Sequence, residues 1–272
     1  MRSKKNILYR IIEILLVLIW LFPLVWMVIT SLKYENEVVT RTFHFLPQNP
    51  TLYNYQKAFN STYLLNWLLN SLFISLVTMI GTFLLDAPIA YAFAKLRFPG
   101  RNLLFWTVMA GMMVPFQVLI VPLYLMFNSF GIINTRIAAV LPRLAMPVGI
   151  FILRQFYAEI PSALEEAAFM DGASRFKIFR KIILPLGSSA GVTVVILAFI
   201  NAWNDFLWPL IAINDSIKYT VTVGIANFQG THGTEYALIM AGAVIASLPE
   251  FIFFLIFRRK IIDGIATTGI KE

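Results

Sequence analysis

Long uncharged apolar stretches alternate with short polar segments along this chain. Residues 14–32, 58–85, 102–135 and 182–204 contain no Asp, Glu, Lys or Arg. Two further apolar stretches are each interrupted by one charge, Arg143 or Glu250. A membrane-spanning helix needs about 20 mostly apolar residues. The pattern therefore predicts an all-α membrane protein with six transmembrane helices, at about residues 11–31, 69–94, 103–127, 137–155, 188–211 and 236–257.

Two of these spans have unusual features. The fourth is short and contains Pro142 and Pro147, so neighbouring helices must satisfy the backbone groups that proline frees. The first follows a basic start, as in a signal peptide, but it is too long for one and no A-x-A site follows it. We therefore expect a retained helix. Without an internal repeat, residues 1–272 are predicted to form a single transmembrane domain.

Composition narrows the class of protein. Hydrophobic residues make up 59% of the chain and charged residues 13%, and the mean hydropathy is +0.76. Average soluble domains carry roughly 25% charged residues, so an ordinary soluble enzyme is excluded. The absence of cysteine excludes thiolate catalysis and disulfides, and only two histidines are present. We expect no metal site.

The net charge of +8 is explained by where the basic residues fall. With an inner N-terminus, sixteen Lys and Arg lie in the inner segments and six lie outside. Because basic residues concentrate on the cytoplasmic side, this bias predicts cytoplasmic N- and C-termini in a multi-pass protein of a prokaryotic cell membrane. Membrane lipid is then an expected partner and nucleic acid is not.

The inner segment 156–187 has the most distinctive pattern. Pro161-Ser162 begins a predicted helix, and Ser162 and Glu165 have the spacing of a capping box. Asp171-Gly172 ends that helix, since glycine readily adopts the left-handed conformation of helix ends. An amphipathic second helix follows, with Phe176, Phe179 and Ile183 on one face. Taken alone, this pattern fits a docking element or an ordinary interfacial loop.

The same segment resembles a known family. Glu166-Ala167-Ala168, then Gly172, then Ile182-x-Leu184-Pro185 is similar to the EAA signature of ABC importer permeases. Residues 95–101 (KLRFPGR), 203–210 (WNDFLWPL) and 246–249 (ASLP) further resemble the carbohydrate-uptake, maltose-type branch. The resemblance covers nearly the whole chain.

The resemblance implies a type I ABC importer permease fold in which the inner segment is a coupling helix hairpin. It implies two ATP-binding subunits that hold ATP and Mg, a second homologous permease forming a heterodimer, an extracytoplasmic solute-binding protein and a sugar substrate. The chain has no GxxxxGK[ST] loop, so it is expected to be no enzyme and to hold no cofactor of its own. The residues implied in ATPase coupling are Glu165, Glu166, Ala167, Ala168, Asp171, Gly172, Ile182, Leu184 and Pro185.

Two outer segments, 33–68 and 212–235, are long enough to touch a partner outside the membrane. Residues 212–235 resemble the loop that reaches into the binding protein in this branch. An ordinary flexible loop is the alternative. The predicted tip and binding-protein contact comprises Asn227, Phe228, Gln229, Gly230, His232 and Gly233.

Ionisable residues at membrane depth are functional candidates because an unpaired charge there is costly. Arg143 and Asp205 lie at similar depth and are predicted to pair, whereas Asp86 and Glu250 depart from the family pattern. Trp208 is assigned to the interfacial aromatic belt. The pathway candidates are Asn204, Asp205, Trp203 and Tyr124.

Two alternatives to a sugar importer stay open at this point. One is an ABC importer permease for a non-sugar solute, which would differ in the ligand of its binding protein. The other is an ion-coupled transporter that uses Asp86, Asp205 and Glu250 and needs no ATPase.

Overall fold

The computed structural model describes the backbone of residues 2–230 and 233–269, and the side chains of residues 9–228 and 233–257. The described chain is almost entirely helical. A 3₁₀ turn lies at Leu141–Arg143 and another at Ser216–Lys218, and Phe179–Ile183 is π-helical. Two short antiparallel strands form a hairpin, β1 (Gln229–Gly230) with β2 (Gly233–Thr234). The helices are α1 (Arg2–Ser31), α2 (Glu35–Val38), α3 (Tyr53–Ser61), α4 (Leu64–Lys95), α5 (Arg101–Gly111), α6 (Phe116–Ser129), α7 (Arg136–Val140), α8 (Pro147–Glu159), α9 (Ser162–Met170), α10 (Arg175–Ile178), α11 (Leu184–Leu186), α12 (Ser188–Trp203), α13 (Leu207–Ala212), α14 (Val221–Ala226) and α15 (Tyr236–Gly269).

Among the described residues, three segments are long and apolar enough to cross a membrane as single helices: Tyr9–Ser31, Leu64–Lys95 and Tyr236–Phe257. Three bent helix pairs raise the number of spans to six if each pair crosses once. The apolar side chains of α1 are exposed along the span, as expected for a surface covered by lipid or by another subunit. The second span begins at Leu64, earlier than the predicted residue 69.

The prediction of one continuous helix over residues 103–127 is wrong. The chain bends by 95° between α5 and α6. Pro115 lacks a backbone N–H and restricts the residue before it, so α5 ends at Gly111 and α6 begins only at Phe116. The uniform apolarity of this stretch concealed the break.

The fourth and fifth spans are also interrupted, at residues 144–146 before Pro147 and at residues 204–206 before Pro209. The third bent pair lies earlier, between Arg175–Leu186 and Ser188–Trp203, at 81°. The fourth bends by 44° between Arg136–Arg143 and Pro147–Glu159. The predicted fifth helix, 188–211, ends instead at Trp203, and α13 follows from Leu207. Proline removes the hydrogen bond to the carbonyl four residues earlier. The two freed carbonyls are those of Arg143, before Pro147, and Asp205, before Pro209.

One face of α4 carries a buried polar stripe that the apolar pattern of the sequence did not reveal. Its members are almost fully buried, although α4 is one of the apolar spans. Asn70, Ser71, Thr82 and Asp86 bond to backbone groups of neighbouring segments, whereas Ser75 Oγ, Thr78 Oγ1 and Asp86 Oδ2 have no hydrogen-bond partner among the described residues. The stripe consists of Asn70, Ser71, Ser75, Thr78, Thr82 and Asp86.

The chain divides into two compact units. The first comprises residues 1–66 and 223–249, and the second comprises residues 67–222 and 250–272. In the second unit, the main core gathers side chains from α4, α5, α8, α10 and α12, including Tyr91, Leu153 and Ile183. In the first unit, Asn54 of α3 donates to the carbonyls of Ser31 and Lys33 at 2.8 and 2.7 Å.

Candidate functional site

The predicted helix–Gly–helix element is present. Helix α9 ends at Met170, and Gly172 has a φ of 76°. The N–H of Gly172 donates to Phe169 O and that of Ala173 donates to Ala168 O, both at 3.0 Å. These two bonds are a Schellman motif, which requires the left-handed residue that glycine supplies. Residues 162–183 are called the Gly172 hairpin below.

The predicted capping box is wrong. Ser162 is the first residue of α9, Pro161 precedes it, and no side chain caps the helix. Glu165 instead pairs with Lys95 at the end of α4, with 3.1 Å between Lys95 Nζ and Glu165 Oε1. The hydroxyl of Tyr91 donates to the other carboxylate oxygen at 3.3 Å. Lys95 also donates to the Ile160 carbonyl, so α4 is tied to the start of the hairpin.

The far end of the hairpin is exposed. Glu166 and Ala167 lie at the surface, whereas Ala168 packs against the main core. The exposed surface is largely apolar. Its side chains and exposed fractions are Leu164 (45%), Phe169 (62%), Met170 (87%) and Phe176 (70%).

The predicted amphipathic face divides between surface and core. Phe176 is exposed, but Phe179 is 8% exposed and Ile183 is fully buried. The ring of Phe179 lies 5.2 Å from that of Tyr91, centroid to centroid. The π-helical turn at Phe179–Ile183 shifts the register of this face. Of the remaining predicted coupling residues, Ile182 and Leu184 are half-buried, and Asp171 and Pro185 are exposed.

A second polar centre forms where the broken spans meet. Residues 143–147 and 204–209, with the side chains that bond to them, are called the helix-break junction below. Arg143 Nε donates to Asp205 Oδ2 at 2.9 Å, which confirms the predicted pair. The Arg143 guanidinium also lies 4.0 Å from the centroid of Phe116, the first residue of α6. One arginine therefore touches the third and fifth spans from within the fourth.

The carbonyls that the prolines free at the junction are satisfied by threonines. Thr82 Oγ1 donates to Arg143 O at 3.2 Å, and Thr222 Oγ1 donates to Asp205 O at 2.9 Å. Asp86 Oδ1 accepts from the N–H of Met146 at 3.3 Å, next to the first residue of α8. The other oxygen of this side chain, Oδ2, is buried without a hydrogen-bond partner among the described residues.

Close packing at Asp86 depends on a glycine. A Cβ on Gly149 would overlap Asp86 Oδ2 and lie 2.9 Å from Val194. The carboxylate of Asp86 is thus a structural part of the junction, held by α8.

Three polar side chains lie beside this junction: Asn201 and Asn204 are exposed, and Glu250 is half-buried. Asn204 Nδ2 donates to Glu250 Oε1 of α15 at 3.0 Å, and also to the carbonyl of Ile200 at 3.1 Å. Asn201, one turn earlier on α12, lies 3.7 Å from Met146 Sδ. Two stacked rings, Phe199 and Phe253, hold α12 against α15 with centroids 4.0 Å apart.

The aromatic candidates are in core positions. Trp203 is 2% exposed and stacks on Phe199, and Tyr124 packs against the cluster around Phe127. The assignment of Trp208 to the aromatic belt is wrong. Trp208 is fully buried and donates from Nε1 to the Ala138 carbonyl at 2.7 Å.

Residues 212–235 are not a plain loop. In the second unit, Trp67 donates to Ser216 O at 2.6 Å, and Asn70 donates to the carbonyls of Ile217 and Tyr219 at 2.9 and 3.0 Å. The first half of the segment is therefore held rigidly by α4.

The predicted tip of that segment is only partly exposed. Asn227 is exposed, but Phe228 is 4% exposed because its ring packs against Gly242, where a Cβ would lie 2.8 Å from it. Gly233 is exposed with a φ of 130°. His232 lies outside the described residues, as do the side chains of Gln229 and Gly230.

The stem of the β-hairpin is fixed within the first unit. Lys57 Nζ and Glu235 Oε2 lie 2.6 Å apart. The two carboxylate oxygens of Glu35 accept from the N–H groups of Tyr236 and Ala237 at 3.0 and 2.8 Å, which satisfies the start of α15.

Comparison with known proteins gives a consistent result. A family model described as binding-protein-dependent transport system inner membrane component matches residues 87–265. The arabinooligosaccharides transport system permease protein AraQ of Halalkalibacterium halodurans is 33% identical over 253 residues, covering 92% of this chain and 91% of that protein. The trehalose transport system permease protein SugB of Mycobacterium tuberculosis is 35% identical over 275 residues, covering 100% of both. In a solved structure of a bacterial ABC transporter that imports the acidic polysaccharide alginate, one chain matches 95% of this chain and 98% of its own length, with a TM-score of 0.83 and 20% identity.

The bent spans and the structural match define a type I ABC importer permease fold in a multi-pass membrane protein. The chain belongs to the family of binding-protein-dependent transport system inner membrane components. It is therefore a permease subunit of an ABC importer and not an ATPase. This membership excludes the ion-coupled alternative.

Proposed function

We propose that this permease forms half of the translocation pathway of a sugar importer, for an oligosaccharide or a related polyol. Two relatives that align over nine-tenths or more of both chains carry names of saccharide transport systems. The other half of the pathway would be a second, similar permease. An extracytoplasmic binding protein would deliver the sugar, and two ATP-binding subunits would hold ATP and Mg.

The observation that carries the coupling role is the exposed end of the Gly172 hairpin. Leu164, Phe169, Met170 and Phe176 expose an apolar surface on an element whose base is packed into the core. Exposed apolar surface of this kind marks an interaction site. Glu166, exposed beside it, would face a basic group of the ATP-binding subunit.

Helix α4 offers a direct route from this surface to the membrane interior. At its inner end, Tyr91 and Lys95 contact Glu165 of the hairpin. Two turns earlier, Thr82 and Asp86 bond to the helix-break junction. A displacement of the hairpin by the closing ATP-binding subunits would therefore move the helix that holds the broken spans.

The charge bias supports cytoplasmic termini, which would place the hairpin inside and the segment 212–235 outside. The β-hairpin and Asn227 would then contact the binding protein. Deleting residues 229–233 should lower uptake driven by the binding protein at least tenfold while the complex still assembles. Uptake at the normal rate by that deletion variant would contradict this role.

The experiment that tests the proposal purifies the tagged chain from its native membrane in mild detergent and identifies its partners. We expect an ATP-binding subunit and a second six-span permease. Cells that contain the intact importer should take up at least one of trehalose, maltose, arabinotriose and diacetylchitobiose. Purification of the chain without an ATP-binding subunit would contradict the coupling role, and failure to take up any of these sugars would contradict the substrate class.

A further inference from the structure

The surface beside the helix-break junction is unusual for a membrane-spanning helix. Asn201 and Asn204 of α12 are exposed, and Glu250 of α15 is half-buried and bonded to Asn204. The other exposed side chains around this part of α15 are apolar, as in Phe251 (58%) and Ile252 (55%). A lone polar group among lipid-facing side chains is costly, and three together are more so.

These side chains lie deep in the apolar segment. Glu250 is about 20 Å along the helix axis from Tyr236, at 1.5 Å per residue. The candidate span runs over Tyr236–Phe257, so Glu250 is well inside it. Its long side chain cannot simply reach the outer interface.

The backbone beside them is also non-helical. Asn204, Asp205 and Phe206 separate α12 from α13. Non-helical backbone at membrane depth occurs where it is buried in protein or lines a water-filled cavity. Since Asn204 and Phe206 are both exposed, the break faces a cavity or a partner. Broken helices at membrane depth are frequent sites of substrate binding in transporters.

The chemistry of the cluster favours a polyhydroxylated ligand. Asparagine amides both donate and accept hydrogen bonds, and a carboxylate accepts strongly from hydroxyl groups. The side chain of Phe206, 39% exposed in the same break, offers an apolar face. A sugar ring presents hydroxyl groups at its edge and C–H groups on its faces, and so matches both.

The charge of the cluster disfavours an acidic ligand. The guanidinium of Arg143 is already paired with Asp205, so it does not neutralise Glu250. Glu250 is therefore the charge, unpaired among the described residues, that an entering ligand would meet at this surface. Like charges repel strongly where water is scarce.

We propose that Asn201, Asn204 and Glu250 form a hydroxyl-binding subsite on the translocation pathway of this chain, and that the subsite selects neutral sugars over acidic ones. This inference rests on the proposed function as a sugar permease and adds to it the location and the charge class of the substrate.

The chain contains no cysteine, so single cysteines can be introduced into it without removing any. The test uses the complete importer in its membrane, with Asn204→Cys, Glu250→Cys and the control Ile252→Cys, which lies on the opposite side of α15. The probe is a small hydrophilic methanethiosulfonate. We expect the first two cysteines to react at least ten times faster than the control, and the sugar-loaded binding protein with ATP to slow them at least threefold.

Three results would overturn the subsite. Cysteines at 204 and 250 that react as slowly as the control would show that these positions face lipid or a partner. Fast labelling without slowing, in an importer that takes up trehalose or maltose, would show a water-lined surface without a subsite. Uptake of an acidic oligogalacturonate by the unmodified importer would contradict the charge selectivity.

A second pair of variants tests whether Glu250 contributes to the subsite or occupies a position that faces lipid. Glu250→Leu should lower sugar uptake at least tenfold while the copurified ATP-binding subunits are unchanged, and Ile252→Leu should change neither. Unaltered uptake by Glu250→Leu would overturn the proposal. If the unmodified importer takes up none of the sugars tested, the proposed sugar function fails with it, whereas the other results leave that function intact.

Discussion

The Gly172 hairpin and the helix-break junction are both interruptions of helices, but they are stabilised differently. At Gly172, the hydrogen bonds that end the helix join residues within one turn, such as Ala173 and Ala168. At the junction, the carbonyl of Arg143 is satisfied by Thr82, 61 residues earlier, and the carboxylate of Asp205 is paired 62 residues away. The first break is a local property of the chain and the second exists only in the folded protein.

The difference predicts which substitutions act through stability and which act through coupling. Changes to the buried bonds of the junction, at Arg143, Asp205 and Thr82, should destabilise the permease. Changes at the exposed end of the Gly172 hairpin should leave the permease folded but abolish its binding to the ATP-binding subunit.

The largest effect on stability is expected at the Arg143–Asp205 pair. The side chain of Asp205 is 8% exposed and that of Arg143 is 31% exposed, so Asp205→Leu alone leaves a partly exposed cation unpaired at membrane depth, where an arginine is costly. We expect a loss of about 3 kcal/mol, or roughly 6–12 °C in the thermal midpoint of the purified importer. The double variant Arg143→Met/Asp205→Leu should recover at least half of that decrease in the thermal midpoint. Equal midpoints for the single and double variants would show that the pair contributes no coupling energy.

A smaller effect is expected at the Lys95–Glu165 pair, which ties the hairpin to α4. The two side chains are 9% and 17% exposed, so Lys95→Met should destabilise the permease by about 2 kcal/mol. It should also reduce the sugar transported per ATP hydrolysed, because the hairpin is no longer held to α4.

The pair Lys57–Glu235 is a matched control, with side chains 29% and 26% exposed. More exposed pairs contribute about 0–1 kcal/mol, so Lys57→Met should change the midpoint little. A larger effect of Lys57→Met than of Lys95→Met would contradict this ordering.

The smallest effect is expected at Thr82. Thr82→Val keeps the shape of the side chain but leaves the freed carbonyl of Arg143 without its donor, at a cost of about 1 kcal/mol. Thr193→Val is the control, because Thr193 bonds to the carbonyl of Ser189 one turn earlier in its own helix. Thermal midpoints measured side by side should differ by a few degrees. If Thr193→Val lowered the midpoint as much, the threonine bond at the break would have no special role.

Much of the fold could be predicted from apolar periodicity alone. Six stretches of membrane length were identified, and the first, second and last correspond to single helices. The bend at Pro115 could not be placed, because hydropathy is insensitive to a missing N–H when every neighbouring side chain is apolar. Pro147 marks the fourth span as unusual, whereas Pro209 lies inside the fifth helix that the apolar pattern predicts as continuous. The carbonyl that each proline frees is visible only by counting four residues back.

Local features of the candidate sites could be predicted from the sequence, whereas features that depend on distant helices could not. The Gly172 turn follows from a short local motif and is present. The partner of Glu165 could not be predicted from the sequence. The capping box is a local pattern, whereas the actual partner, Lys95, belongs to a helix that is distant along the chain. The polar stripe of α4 has spacings of three and four residues in the sequence, and this regularity within an apolar span was the signal that could have revealed the junction.

Coupling of this permease to an ATP-binding subunit through the Gly172 hairpin can be tested with a single substitution and a matched control. Gly131 provides a matched control, because it ends α6 with the same pair of bonds, from Gly131 N to Asn128 O at 3.0 Å and from Ile132 N to Phe127 O at 3.1 Å. Its φ is 67°, and a Cβ at either glycine meets nothing within 4 Å. Aspartate at either position should therefore cost the same backbone strain, about 1–2 kcal/mol.

The decisive measurement is ATP-driven sugar uptake, with the ATP-binding subunit quantified in the purified complex, for Gly172→Asp and Gly131→Asp. We predict that Gly172→Asp loses at least nine-tenths of both while the permease remains in the membrane, and that Gly131→Asp retains most of both. Equal behaviour of the two variants, or normal uptake by Gly172→Asp, would contradict the coupling role of the hairpin.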